Sequence, residues 1–245
     1  YSIETGKVTY LRMPPLRRLF YDRAWVRLSG SRVVAVLDDR PEIVYYDLNT
    51  DELVVTPVRG YDPVIDGDVI AYSTAGSGTI SHYNIATGVG VDTGITPHVE
   101  ELSVEAELTV RDGRIVFLNN EERLNQDLNG DGVLSESVVG VYDIATGELQ
   151  YLPEGGLVFR GNQFFFAGRE AATDRTGDGD TSDYFLGVYD LDTDSTMYVE
   201  TPTRFQPRTM LGTEVAVQVD EGHIDQDLNG DGVVSDEMLA LVTIQ

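Results

Sequence analysis

A chain of 245 residues, of which 41% are hydrophobic, is long enough to form one large domain or two small ones. Its formal charge of −25 comes from 42 acidic residues against 17 basic ones, and such a surface would repel nucleic acids and anionic membranes. Cysteine is absent, which excludes disulfides, thiolate-bound metals and cysteine nucleophiles, and no apolar run approaches the roughly 18–20 residues of a membrane-spanning helix.

Two sequence landmarks recur along the chain. The first is a glycine followed by a short run rich in Val, Ile, Phe and Tyr, at residues 30–36, 67–72, 113–118, 161–166 and 212–217. The second is an aromatic segment that ends in a polar turn, at residues 45–50, 82–88, 141–147 and 188–193. The glycines fall 37, 46, 48 and 51 residues apart, which is the period of a four-stranded propeller blade, about 40–50 residues.

Each repeat has the pattern of four short β-strands, because β-branched and aromatic runs alternate with Asp-Gly, Thr-Gly and Asn-Thr turns. Strand a precedes the glycine, strand b follows it, strand c ends at the Tyr-Asp position, and strand d comes after the polar turn. The sequence therefore predicts an all-β fold, a five-bladed β-propeller with four-stranded antiparallel blades in a single domain. The predicted blades cover residues 22–58, 59–96, 104–154, 155–202 and 206–245.

The two ends of the chain complement each other. The fifth repeat stops at residues 239–244, which correspond to strand c, whereas residues 1–11 align with a polar turn followed by strand d. Pairing these segments would close the ring and remove both open sheet edges. We therefore expect the N-terminal strand 1–11 to close the propeller; the alternative is a remnant of a longer propeller with about six to eight blades.

The repeat pattern, a glycine, a short apolar strand and then a turn like Tyr-Asp-Leu-x-Thr-Gly, resembles that of TolB-like β-propeller repeats. The resemblance covers essentially the whole chain. The Ser-Pro-Asp-Gly turn of that family is matched in part, by Leu28-Ser29-Gly30, Val64-Ile65-Asp66-Gly67 and Arg111-Asp112-Gly113. The resemblance implies the propeller fold and implies no particular activity.

Three acidic segments lie between the predicted strands b and c of the last three blades: the first loop (127–136), the middle loop (174–183) and the last loop (227–236). Oxygen-bearing side chains occupy positions 1, 3 and 5 of each loop, a glycine follows at position 6, and position 7 offers its backbone carbonyl. These candidate ligands are Asp127, Asn129, Asp131 and Val133; Asp174, Thr176, Asp178 and Asp180; and Asp227, Asn229, Asp231 and Val233. Hard oxygen ligands in this order, without His or Cys, favour Ca²⁺.

Up to position 7 the loops resemble those of EF-hands and of dockerin and thrombospondin-type calcium repeats. An EF-hand places its bidentate Glu at position 12, whereas here an acid recurs at position 10, as Glu136, Asp183 or Asp236. We expect this acid to close the site. The alternative additional ligands are Glu122, Glu170, Asp225 and Glu237. The sequence thus predicts about three structural Ca²⁺ sites; the competing interpretation is a set of exposed Asx-turns without an ion.

The first two blades lack such a loop, and their b–c connections are residues 37–42 and 73–78. Because the b–c and d–a connections of a propeller share one face, that face would carry a raised wall beside an open groove, where we expect a protein or glycan ligand to bind. The predicted function is that of a non-catalytic, calcium-stabilised binding or scaffold module. We expect a secreted monomer, outside the cell or at its surface, with no nucleic acid partner.

No catalytic motif is evident, since the sequence has neither a Gly-x-Ser-x-Gly elbow nor a His-Glu-x-x-His segment nor a phosphate-binding glycine loop. The isolated His82, His98 and His223, and the single Trp25, are interpreted as structural residues. The alternative function is a carbohydrate-active enzyme, a glycoside hydrolase or lyase, with acidic residues in its central channel. Its candidate acids are Asp62, Glu105 and Glu107.

Overall fold

The structure is a computed structural model, and it describes the residues of the strands together with most of their connections. The described residues are 26–37, 40–97, 108–134, 137–152, 158–160, 162–169, 184–199, 206–211, 214–221, 229–233 and 237–243, with Asp174, Thr181 and Asp227. The predicted closing strand 1–11 and Trp25 lie outside them.

Regular structure in the described residues is almost entirely β, which confirms the predicted all-β class. The strands are β1 Val26–Ser29, β2 Arg32–Val36, β3 Glu42–Asp47, β4 Glu52–Asp66, β5 Val69–Thr74, β6 Ile80–Asn84, β7 Val89–Asp92, β8 Leu108–Arg111, β9 Arg114–Asn120, β10 Ser137–Asp143, β11 Leu149–Leu152, β12 Val158–Arg160, β13 Gln163–Arg169, β14 Tyr184–Asp190, β15 Ser195–Val199, β16 Gln206–Leu211, β17 Glu214–Asp220 and β18 Glu237–Thr243. One helical turn, α1 Glu121–Leu124, follows β9 and was not predicted from the sequence.

The strands form antiparallel meanders in which each strand pairs with the next one along the chain. Three sheets are separate, β8–β11, β12–β15 and β16–β18, while β1–β7 form one sheet of seven strands. That sheet consists of two four-stranded meanders that share β4. Residues 52–55 of β4 pair with β3, and residues 60–66 pair with β5.

The chain divides into two compact units, Tyr1–Thr96 and Pro97–Gln245. In the first unit the core lies between the two meanders, because Val34, Val36 and Ile43 of the first pack with Ile70 and Tyr83 of the second. The inner strands are therefore buried on both faces and read as continuous apolar runs, a pattern typical of strands packed on both sides. The predicted five-blade division and ring closure stay predictions.

In the second unit the core lies between the meanders β8–β11 and β12–β15, and aromatic rings fill much of it. Phe164 stacks on Tyr189 with ring centroids 5.0 Å apart, and Phe185 meets Tyr198 edge to face at 5.1 Å. Offset and edge-to-face pairs of this kind add to the burial of apolar area. Phe and Tyr side chains of β13, β14 and β15 thus form a large part of this core.

Tyrosines at the end of the third strand of a meander also make polar contacts that hold the following turn. The phenol of Tyr46 donates to the Asp51 carboxylate, and the phenol of Tyr189 donates to the Asp194 carboxylate. Both aspartates adopt a left-handed backbone conformation, with φ of 59° and 53°. The Tyr-Asp motif of the sequence thus links a core ring to the turn before strand d.

Two strand glycines lie directly beneath phenylalanine rings. Gly140 of β10 pairs with Phe117 of β9, and Gly187 of β14 pairs with Phe166 of β13. A Cβ at either glycine would lie 2.3 Å from the Cζ atom of that ring, which is closer than real contacts allow. The absence of a side chain at these positions is what permits the rings to lie flat on the neighbouring strand.

We expect Gly140→Ala to lower the free energy of unfolding by about 1–3 kcal/mol, because the added methyl group overpacks a buried ring. Urea denaturation of the single variant, of Phe117→Leu and of the double variant measures the coupling between the two sites. The alanine should cost clearly less in the Phe117→Leu background. Equal costs in both backgrounds would show that the ring contact is not the cause.

Candidate metal-binding loops

The first and last loops connect the second and third strands of their meanders. The first lies between β9 and β10 and is preceded by α1; the last lies between β17 and β18. Position 12, where an EF-hand places its Glu, falls inside the following strand, at Val138 of β10 and Met238 of β18. Position 12 therefore supplies no side-chain oxygen to either loop, and the acid at position 10 as the closing ligand stays a prediction.

Side-chain oxygens of the first loop accept hydrogen bonds from the backbone amides of the same loop. The amides donate as follows: Gly130 N to Asp127 Oδ1 at 2.7 Å, Gly132 N to Asp127 Oδ2 at 3.0 Å, Asp131 N to Asn129 Oδ1 at 3.0 Å, and Val133 N to Asp131 Oδ1 at 2.8 Å. Asn129 and Asp131, which accept from the amides two residues on, each close an Asx-turn. Together they wrap the backbone around the side chains at positions 1, 3 and 5.

The last loop repeats this pattern. Gly230 N donates to Asp227 Oδ1 at 2.6 Å, Gly232 N to Asp227 Oδ2 at 2.8 Å, Asp231 N to Asn229 Oδ1 at 2.9 Å, and Val233 N to Asp231 Oδ1 at 2.8 Å. The position 6 glycines have φ of 85° in the first loop and 87° in the last, a conformation that residues with a Cβ rarely adopt. Two segments 100 residues apart thus form the same turn, down to the individual acceptor atoms.

The hydrogen bonds from the backbone amides do not use all the lone pairs of these side chains. A carboxylate offers about four lone-pair sites, and an amide carbonyl offers two. Asp127 uses one such site on each oxygen, while Asp131 receives the Val133 amide on Oδ1 and the Asn129 side-chain amide on Oδ2 at 3.3 Å. The donor set consists of hard oxygens, which fits Ca²⁺ better than a metal that prefers nitrogen or sulfur.

A buried glutamate lies beneath the first loop. Glu121, the first residue of α1, is 0% exposed. The helical turn is capped by Asn120, whose side chain accepts from Arg123 N at 2.9 Å. Oε1 of Glu121 accepts hydrogen bonds from the amides of Leu128 and Asn129, whereas Oε2 is buried with no hydrogen-bond partner.

The electrostatic environment of Glu121 opposes its negative charge. Burial raises the pKa of the carboxyl above its ordinary value, the two amide hydrogen bonds act to lower it, and the charges of Asp127 and Asp131 raise it further. The glutamate and the two aspartates are therefore close enough to repel one another. A cation in the loop would relieve this repulsion.

Glu221 occupies the same place beneath the last loop. It is 0% exposed, and its Oε1 accepts from Asn229 N at 3.1 Å. Neither glutamate was predicted as a ligand from the sequence. The sequence signal that could have revealed them is their shared position: each directly follows the second strand of its meander and lies six residues before position 1 of its loop.

Among the described residues, no group of three or more His, Asp or Glu side chains is arranged to hold a metal ion by itself. This includes Glu121 with Asp127 and Asp131, and Glu221 with Asp227 and Asp231. The oxygen at position 3 belongs to the amide of Asn129 or Asn229, so each loop contributes only two described acids of its own. The expected closing acids, Glu136 and Asp236, lie outside the described residues.

The middle loop is described only at Asp174, which is exposed, and at Thr181. Its other predicted ligands, Thr176, Asp178, Asp180 and Asp183, lie outside the described residues, as do the alternative ligands Glu170 and Asp225. Of the remaining alternatives, Glu122 is exposed on α1 and Glu237 begins β18. The structure therefore brings Glu121, rather than its neighbour Glu122, beneath the first loop.

The corresponding connections of the first two meanders are short. Residues 74–79 form a tight turn in which Thr74 N donates to Thr79 O at 2.7 Å and Gly78 N donates to Thr74 O at 2.9 Å. In the connection 37–42, Leu37 N donates to Glu42 O at 3.1 Å, while Asp38 and Asp39 lie outside the described residues.

The residues considered for catalysis are placed as follows. His82 is buried within β6, in agreement with a structural role, and its pKa is lowered by burial. Asp62 lies at an irregularity of β4 and has a positive φ of 52°. Glu105, Glu107, His98 and His223 lie outside the described residues.

No family model matches the chain, and no curated relative matches its sequence. Solved β-propellers are similar in fold. The β-propeller domain of the trilobed protease from Pyrococcus furiosus, described as having an open velcro topology, is 11% identical with a TM-score of 0.50 over 96% of this chain and 70% of that domain. The acylaminoacyl peptidase of Pyrococcus horikoshii is 11% identical with a TM-score of 0.51 over 94% of this chain and 40% of the peptidase.

TolB from Acinetobacter baumannii also matches, at 14% identity and a TM-score of 0.39 over 80% of this chain and 50% of TolB. That score is too low to add to the argument. The chain spans half or less of TolB and of the peptidase. At these identities the comparisons show the fold alone: the chain has the all-β organisation of β-propeller proteins. None of the helices in the described residues is long and apolar enough to cross a membrane.

The hydrogen bonds that the position 1 aspartates accept from backbone amides should stabilise the loops even without an ion. In excess EDTA, we expect Asp127→Ala and Asp227→Ala each to lower the free energy of unfolding by about 1 kcal/mol, because two amides lose their acceptor. Glu148→Ala, at an exposed position in another turn, should change it by less than about 0.5 kcal/mol. Urea denaturation measures all three, and unchanged stability of the aspartate variants would mean that the turns do not form without an ion.

Proposed function

We propose that the chain is a calcium-binding, non-catalytic β-propeller that acts as a binding or scaffold module outside the cell or at its surface. In this proposal five blades of four strands form the ring, which is closed by residues 1–11, and the three acidic loops hold about three structural Ca²⁺ ions. The observation that carries the proposal is the identical turn of the first and last loops, in which the same atoms accept the same amide hydrogen bonds.

The chemistry of the loops supports calcium over other cations. Carboxylate, amide and carbonyl oxygens are available at positions 1, 3, 5 and 7, and none of these positions carries His or Cys. Calcium accepts six to eight oxygens in flexible geometry, whereas magnesium demands a near-octahedral arrangement and gives up its water reluctantly. A loop built from turns of a hairpin connection suits the more permissive ion.

The position of the loops supports a structural role for the ion. The first loop connects two adjacent core strands, since Val116 and Phe117 of β9 and Val138 and Val139 of β10 are 0% exposed. An ion that fixes the loop therefore also fixes the ends of two core strands. Because the ion binds only the folded chain, it stabilises that state by mass action.

The contrast between long and short connections supports a binding face. The b–c connections of the first two blades are brief turns, whereas the three acidic loops extend over ten residues each (127–136, 174–183 and 227–236). In a propeller these connections lie on one face. A protein or glycan would bind on that face beside the calcium-stiffened loops. Extracellular calcium suffices to fill such sites, since the dissociation constants of extracellular modules are about 10⁻⁴–10⁻³ M.

Thermal unfolding in CaCl₂ and in EDTA tests the proposal. We expect calcium to raise the melting temperature, because an ion present at about 100 times its dissociation constant adds about 2.7 kcal/mol per site to the stability. Magnesium at equal concentration should raise it less. Asp131→Ala and Asp231→Ala should each remove part of the calcium-induced increase, whereas the matched charge-removing variant Glu148→Gln should keep all of it.

Identical melting curves in CaCl₂ and EDTA would contradict a structural calcium ion. An increase that persists in full in both aspartate variants would place the ion elsewhere and contradict the assignment of the loops.

A further inference from the structure

The second unit contains a fully buried carboxylate, that of Glu121, which the fold itself does not explain. Glutamate is almost never fully buried unless it is paired. Glu121 is 0% exposed, and it takes part in none of the ion pairs among the described residues. Burying a charge without a partner costs free energy, and packing in an apolar core does not offset that cost. We therefore looked for a ligand that would neutralise this carboxylate.

The two oxygens of Glu121 differ in their environment. Oε1 accepts the amides of Leu128 and Asn129, which anchors the carboxylate under positions 2 and 3 of the first loop. Oε2 is buried without a hydrogen-bond partner. A cation satisfies both the charge and the free lone pairs.

The carboxylate is also aimed at the proposed calcium site. Its anchoring amides lie between Asp127 at position 1 and Asp131 at position 5, and both aspartates interact with it electrostatically. Glu122, the next residue along the chain, points to solvent instead. Glu121 is therefore the acid of α1 that the fold directs into the loop.

The same arrangement recurs beneath the last loop. Glu221 is 0% exposed and accepts the Asn229 amide at 3.1 Å, as Glu121 accepts the Asn129 amide at 3.2 Å. Each glutamate follows its second strand directly, at Asn120 and Asp220, and lies six residues before position 1. A buried carboxylate repeated at the same register under two acidic loops indicates a shared ligand.

We infer that Glu121 and Glu221 are direct ligands of the cations in the first and last loops, each binding Ca²⁺ through the oxygen that does not accept the loop amides. The inference rests on the proposed calcium function and deepens it. The ion is then bound both by the loop and by a buried carboxylate that directly follows a core strand. This assigns a ligand from outside the acidic loops themselves.

Glu121→Gln tests the inference, because glutamine keeps the size of the side chain and an oxygen to accept the two amides but replaces the ligand oxygen with an NH₂ group. In EDTA its melting temperature should equal or exceed that of the unchanged protein, since a buried charge has been removed. In CaCl₂ the variant should lose most of the increase contributed by the first loop. Titration calorimetry with CaCl₂ should show one site weakened about tenfold or more.

Glu221→Gln provides an independent copy of the experiment, and the double variant should lose both sites. Glu148→Gln, with the same change of charge at an exposed turn, should bind calcium as the unchanged protein does. A melting temperature of Glu121→Gln that falls in EDTA as much as in CaCl₂ would assign the glutamate a purely structural role and overturn the inference. Calcium affinities equal to those of the unchanged protein would also overturn the inference, but they would leave the proposed function standing. If the unchanged protein binds no calcium, both the inference and the proposed function are wrong.

Discussion

Burial between neighbouring meanders is the interaction on which the rest of the structure depends, because a single antiparallel sheet has two faces and no means of covering them alone. In the first unit Val34 and Ile43 of one meander pack with Ile70 and Tyr83 of the next. In the second unit Val116 and the Phe164–Phe166 segment make the corresponding contacts. The inner strands become rigid and dry, while the connections between them remain at the surface and are free to vary.

That division of roles explains how an unusual turn can be built twice without disturbing the fold. β9 ends at Asn120 and β17 at Asp220, and in both cases the next residue is a buried glutamate whose carboxylate accepts a hydrogen bond from the connection. Above that carboxylate, the polar side chains of the loop accept hydrogen bonds from the backbone amides of later residues in the same loop. Part of the high negative charge of the chain therefore lies in a compact group, Glu121, Asp127 and Asp131, whose carboxylates repel one another unless they are neutralised.

Much of this architecture could be predicted from sequence periodicity. The glycine-plus-apolar runs gave β2, β5, β9, β13 and β17, and the b–c position of the acidic segments was correct. The role of Glu121 could not be predicted, since an acid after a strand looks like an ordinary solvated turn residue. Its burial depends on α1, a single helical turn with no apolar period to reveal it. The bonds from Tyr46 and Tyr189 to later aspartates were missed for a similar reason, because a ring that packs in the core gives no sign that its hydroxyl reaches a turn.

The long strand β4 has a consequence for how the first unit comes apart. It pairs with β3 at one end and with β5 at the other, with register shifts near Val44 and Tyr61. No loop separates the two meanders at this point, so the backbone of β4 transmits a displacement of either meander to the other. The segment 26–92 should then open as one cooperative unit, with amide protons of β2 and β6 exchanging with solvent at similar rates. In the first unit the continuous backbone of β4 thus joins two meanders that also share a side-chain core.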